Sequence, residues 1–203
     1  MNRREALRRV ALLMGGTLSA PAIVAVLNGR SARADSSMTP LFFDADQAGL
    51  VAKVAEIMIP RTSTPGAEDL GVPAFIDTML KNVYSLPDQE RYLEGLREFS
   101  SDAMQTHGHA FLALQPHARA ALVKTVHDKA VREERKRKAM NAPLDRPFIL
   151  MTKELSMLGF FTSEFGASHI LQYVPVPGSY RACISVAEAG NGKAWAREAN
   201  TTF

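Results

Sequence analysis

Five histidines, at positions 107, 109, 117, 127 and 169, are the side chains best suited to metal or acid–base chemistry in this chain. His107 and His109 flank a glycine, and with His117 and a carboxylate such as Asp102 they could hold one metal ion. The spacing departs from the usual zinc patterns. There is no H-E-x-x-H and no pair of histidines four residues apart, and the segment reads as a solvated surface loop. His127, beside Asp128, falls on the polar face of a helix. No G-x-G-x-x-G, P-loop or G-x-S-x-G motif occurs, so a flavin or nicotinamide site is not encoded in any usual form. The single cysteine, Cys183, excludes an intramolecular disulfide, a C-x-x-C-H haem attachment, an iron–sulfur cysteine set and a thiolate zinc site. A lone thiol is most often buried, so Cys183 is expected in the core or an interface, with exposure or a bridge to another chain as alternatives.

The residues that speak most clearly do so by recognition. Arg3 and Arg4 stand ahead of a weakly apolar run, Val10 to Leu27, with Leu7 at the apolar position that follows the pair in a twin-arginine export signal. Asn2 replaces the usual Ser or Thr before the pair, and Arg8 stands one position late for the usual Lys. Gly15, Gly16, Thr17, Ser19 and Pro21 dilute the apolar run, as expected for a route that carries folded proteins. Ala32 and Ala34 form the small pair of an A-x-A cleavage site. The alternative is a retained anchor, although eighteen residues is near the lower limit for a span.

Charge follows the same division. The chain has 24 basic and 21 acidic residues, a net +3. Residues 1–34 hold six arginines and one acid, net +5, so the remaining 18 bases and 20 acids leave −2 for residues 35–203. The basic balance belongs to the leader, and nucleic-acid binding loses its main support. The expected domains are residues 1–34, a signal peptide, and residues 35–203, long enough for one domain with a real core.

The elements of that domain read as helices. Residues 35–43 are a linker. Asp44 and Gln47 form a capping-box pattern, and Val51, Val54, Ala55 and Met58 follow at helical spacing until Pro60. A second helix spans Ala74 to Val83, with Phe75, Ile76, Met79 and Leu80 on one side. A third runs from Ser85 to Met104, with Tyr92, Leu93, Leu96 and Phe99 inward. Pro116 opens a fourth, with Ala118, Leu122, Thr125, Val126 and Ala130 facing in. A fifth covers about 147–161, with Phe148, Met151, Leu155 and Leu158 inward, and Ser163-Glu164 caps a short sixth. No stretch alternates in the manner of a strand. The class is all-α: a single irregular helical domain with long Pro/Gly loops behind an N-terminal signal segment.

Three surface features could dock a partner. The run Arg132–Lys138 has five bases and two acids, and reads either as the solvated end of a helix or as a patch for an acidic partner or anionic lipid. The loops 59–73 and 173–183 are rich in proline and glycine, and are either punctuation or rigid interface loops that lose little entropy on binding.

The stretch Ile57-Met58-Ile59-Pro60-Arg61-Thr62 through Pro65-Gly66-Ala67, then Gly71-Val72-Pro73-Ala74-Phe75-Ile76-Asp77, resembles the signature of the gluconate 2-dehydrogenase subunit 3 family. Gly159-Phe160-Phe161-Thr162-Ser163-Glu164 and Tyr173-Val174-Pro175-Val176-Pro177-Gly178-Ser179-Tyr180 are similar to the family's second half; residues 85–145 carry little recognisable pattern. The resemblance implies the small subunit of a membrane-associated, flavin-dependent sugar or polyol dehydrogenase. It implies no cofactor in this chain, FAD in a large subunit that lacks its own export signal, and often haem c in a cytochrome subunit. The small subunit would be non-catalytic and would carry the folded large subunit through the twin-arginine translocase to the periplasm, where the complex associates with the inner membrane. Pro60, Arg61, Pro65, Gly66, Phe75, Tyr173, Pro175, Pro177, Gly178 and Tyr180 become the candidates for the partner interface. The competing readings are a stand-alone periplasmic metal-dependent enzyme and a membrane-tethered structural protein.

Overall fold

The computed structural model describes residues 40–142, 146–173, 183–190 and 192–195. Among these the chain is all-α, with six α-helices, one 3₁₀ turn and one π turn, and without a strand.

Helix α1, Ala45–Met58, begins as a full capping box: Gln47 N donates to Asp44 Oδ1 at 2.8 Å, and Asp44 N donates to Gln47 Oε1 at 3.1 Å. It buries Leu50, Val51, Val54 and Ala55. Helix α2, Val72–Asn82, starts two residues before its expected position. Pro73 lies in its first turn, where the missing N–H costs nothing, and Gly71 precedes it at φ 71°, a left-handed conformation that suits glycine. Helix α3, Leu86–His107, is capped by Ser85 and outruns its expected end by three residues, closing on Gly108 at φ 70°. Phe111–Ala113 form a 3₁₀ turn before helix α4, Pro116–Ala139.

Helix α5, Phe148–Thr162, is the centre of the domain. It packs against α1, α2, α3 and α4, and buries Phe148, Ile149, Met151, Thr152, Leu155, Ser156, Gly159 and Phe160. Eight of its fifteen residues are buried, while Lys153, Glu154, Met157 and Leu158 form a face exposed to solvent. An aromatic chain threads this core: Phe43 to Tyr92 at 5.8 Å between ring centroids, Tyr92 to Phe148 at 5.4 Å, Phe148 to Phe99 at 5.5 Å, and Phe99 to Phe111 at 5.0 Å. The Tyr92 hydroxyl is 2.7 Å from Thr152 Oγ1. Thr152 spends its own proton on Phe148 O at 2.8 Å, so Tyr92 is the donor of the pair. Burial pushes the Tyr92 phenol well above its ordinary range.

After α5, Ser163 Oγ accepts from Gly166 N at 3.0 Å, and Gly166–Ile170 wind as a π turn. A Cβ on Gly166 would lie 2.0 Å from Phe160 O, so only glycine permits the close approach. Gln172 N then donates to Ala194 O at 2.8 Å, forming a parallel bridge between Gln172 and Trp195, and α6, Val186–Gly190, is a single short helix.

Four expectations need correction. Pro40–Phe43 is not simply linker, because Phe43 is buried and the Asp77 carboxylate receives three consecutive backbone N–H groups from Leu41–Phe43. Thr125 faces outward and returns its hydroxyl to Ala121 O at 2.9 Å; Val123 takes the inward place. Leu158 is 46% exposed because the α5 positions that reach the core are Leu155, Ser156, Gly159 and Phe160. Cys183 is exposed rather than buried, since it stands just ahead of α6, where the described side chains face solvent.

Candidate functional site

The loop from Ile59 to Gly71 joins α1 to α2 without regular structure, and α1 itself holds it in shape. Glu56 reaches from the last turn of α1 and accepts from Arg61 N at 3.0 Å and from Glu68 N at 2.9 Å. One carboxylate thereby satisfies backbone donors on both arms of the loop. Asp69 adds a second tie: it accepts from Gly66 N at 2.9 Å through one oxygen and pairs with Arg61 through the other. Ala67 N donates to Ile59 O at 2.9 Å, and Ala67 is fully buried. Lys53 Nζ fixes Glu68 at 2.8 Å.

Gly66 lies directly beneath the Glu56 carboxylate. A Cβ there would be 2.2 Å from Glu56 Oε1 and 2.5 Å from Oε2, so the latch depends on glycine. The tip, Pro60-Arg61-Thr62-Ser63, remains exposed. The loop thus offers a polar, basic tip on a backbone whose conformation is fixed before any partner arrives. That is the economical form for a contact surface, because the ordering entropy is spent in folding.

Asp77 does for the chain ahead of α1 what Glu56 does for the loop. It is only 6% exposed and accepts from Leu41 N at 2.7 Å, Phe42 N at 3.0 Å and Phe43 N at 3.0 Å. Sequence reasoning singled out neither Glu56, Asp69 nor Asp77 as a holding group. For Asp77 a signal existed: an acid sits next to Ile76 and three residues before Leu80, on the buried face of α2.

The expected contact residues take different places. Pro60 and Arg61 are at the exposed tip, Pro65 is half-buried and Gly66 is buried under Glu56. Phe75 is half-buried and packs on Gly159, where a Cβ would come within 2.7 Å of its ring. Tyr173 is exposed beyond the π turn. Arg3, Arg4, Leu7, Ala32, Ala34, Pro175, Pro177, Gly178 and Tyr180 lie outside the described residues.

The titratable clusters elsewhere are modest. His107, His109, His117 and Asp102 are all exposed, and among the described residues no three His, Cys, Asp or Glu side chains come together as metal ligands. His127 is half-buried between α4 and α5. Lys153 Nζ lies 3.0 Å from its Nε2, and Asp128 Oδ1 lies 3.2 Å from its Nδ1. An ammonium can only donate, so Nε2 is the acceptor and Nδ1 carries the proton. Asp128 is held below the usual carboxylate range by hydrogen bonds from Lys124 and then His127. In the basic run, Lys136 pairs with Glu133 at 2.9 Å and Lys138 with Glu134 at 2.7 Å, so part of its charge is neutralised within the helix. No described helix is long and apolar enough to cross a membrane.

No curated protein and no solved structure matches the chain. The sequence profile of gluconate 2-dehydrogenase subunit 3 matches residues 45–178, from the first residue of α1, across the latched loop and all of α5, and into the segment after Tyr173. Because that match spans most of the 203 residues and includes the loop and the helices that hold it, the chain belongs to the gluconate 2-dehydrogenase subunit 3 family.

Proposed function

We propose that this chain is the non-catalytic small subunit of a flavin-dependent sugar or alcohol dehydrogenase, and that it binds, stabilises and exports the large subunit through the twin-arginine pathway. The family match over residues 45–178 is the observation that carries this reading, because it names a subunit of a dehydrogenase complex. The Arg3-Arg4 pair supplies the export component, and the pre-shaped tip Pro60–Ser63 is suited to a partner rather than to bond chemistry. FAD belongs to the large subunit, and haem c to a cytochrome subunit where the complex has one. The complex works in the periplasm against the inner membrane.

The test is the double substitution Arg3→Lys with Arg4→Lys in cells that make both subunits. The flavoprotein is expected to stay in the cytoplasm, folded and loaded with FAD. Normal export of the flavoprotein in that strain would sink the carrier role.

A further inference from the structure

Helix α5 carries only two charged residues among its fifteen, Lys153 and Glu154. A helix with apolar residues on every side is the kind that a fold encloses. The domain encloses one side only. In the second half of α5, Leu155, Ser156, Gly159 and Phe160 face the core, while Met157 and Leu158 face solvent at 44% and 46% exposure. Leu150 and Phe161, both half-buried, stand seven residues before Met157 and four after it, so the outward apolar residues share one face of the helix. They form a stripe rather than the scattered single side chains of an ordinary surface.

The charges on that face are already spent within the chain. Lys153 Nζ lies 3.0 Å from His127 Nε2 on α4, and Glu154 pairs with Arg146. Both belong to the first half of α5, so no charge interrupts the turn from Met157 to Phe161. The stripe therefore calls for an apolar, uncharged counterpart and for no countercharge. It also adjoins a residue of the family signature: Phe75 packs on Gly159 in the same turn and is itself half-buried. The whole of α5 lies inside residues 45–178, the stretch matched to a dehydrogenase subunit. A face left open in the single chain and closed in a complex is what such a subunit requires.

We infer that the outward face of α5 is a second contact with the dehydrogenase large subunit, and that Met157, Leu158 and Phe161 receive an uncharged apolar ridge of it. The inference rests on the accessory-subunit reading and adds a surface remote in sequence from the 59–71 loop.

The test uses the full chain co-produced with the large subunit, and reads the dissociation constant. Met157→Glu with Leu158→Glu, and separately Met157→Arg with Leu158→Arg, are each expected to weaken binding at least about tenfold, because either sign of charge would be buried without a partner. Both positions are exposed in the single chain, so its melting temperature should hold in each variant. A second readout needs no substitution. Oxidation of Met157 by hydrogen peroxide should slow severalfold in the complex, with the exposed Met140 at the end of α4 as internal reference. Unchanged affinity in both variants, or Met157 oxidised in the complex as fast as in the free chain, would overturn the contact while leaving the accessory-subunit reading intact. Weaker binding with one sign of charge and tighter binding with the other would make the contact electrostatic and overturn the apolar ridge. Self-association of the isolated chain that both variants abolish would assign the face to a second copy and overturn it too. Failure of the unaltered chain to bind the flavoprotein would remove the accessory-subunit reading and the occupant of this face together.

Discussion

The loop from Ile59 to Gly71 has no helix in it, yet Glu56 and Asp69 account for its Arg61, Gly66 and Glu68 amides, and Ala67 is fully buried. Helix α4 is regular for 24 residues, yet its buried side chains, Leu122 and Val123, both lie in its first third. The irregular segment is the better anchored of the two. Local order in a protein follows the partners of the backbone and the burial beneath it, and regular secondary structure is only one way to supply them. The Leu41–Phe43 segment makes the same point, since Asp77 alone receives its three amides.

The contrast breaks most visibly at Asp77. Asp77→Ala leaves three backbone donors without their acceptor and is expected to cost about 2–4 kcal/mol, read by denaturant unfolding. Early proteolysis should then fall near Pro40–Phe43. Glu56→Ala should cost about 2 kcal/mol and turn the 59–71 loop into a cutting site, while α2 stays helical. A wild-type rate of loop cleavage in that variant would show that the latch is ornamental.

Gly66→Ala sharpens the same region. With Glu56 in place the new methyl displaces the carboxylate and is expected to cost about 1–3 kcal/mol. In the Glu56→Ala background the obstruction is gone, so the second substitution should add far less, and the cycle should be strongly non-additive. Additive costs would mean that the two residues do not meet in solution.

The core under both regions provides a reference through pH. The folded state keeps the Tyr92 proton past the point where the unfolded chain releases it, near pH 10. The unfolded state then binds fewer protons, so stability is complete below that pH and falls above it by about 1.4 kcal/mol per pH unit. Tyr92→Phe should cost about 1 kcal/mol at neutral pH and remove its share of that alkaline slope. The smallest effect belongs to α4: Arg132→Ala should change stability by less than about 0.5 kcal/mol. Amides between Val131 and Ala139 should exchange faster than those of Gly66 and Glu68.

Much of this architecture was legible in the chain, and what was missed has a common cause. The Asp44–Gln47 cap, the Pro116 helix start, and the inward positions of Tyr92, Leu96 and Phe99 are local or periodic patterns that a sequence displays directly. Glu56 and Asp77 act across 5–36 residues by side chain to backbone, and no period announces such a bond. Leu158 and Thr125 misled because an apolar residue or a β-branched one at a plausible spacing faces inward only if the neighbouring helix is there. The proline- and glycine-rich loop was recognisable as a candidate contact with rigidity as one of its two readings, but the Glu56 and Asp69 ties that fix it were not, because proline and glycine report where regular structure stops and not what replaces it.

The bridge between Gln172 and Trp195 leaves the chain's one indole 43% exposed. Any emission excited in that ring therefore comes from a single known place. A second protein lying over the segment beyond the π turn would shift the fluorescence to shorter wavelength, and one binding elsewhere would leave it unchanged. The molecule thus carries its own optical gauge of which surface is covered, without a label and without altering a residue.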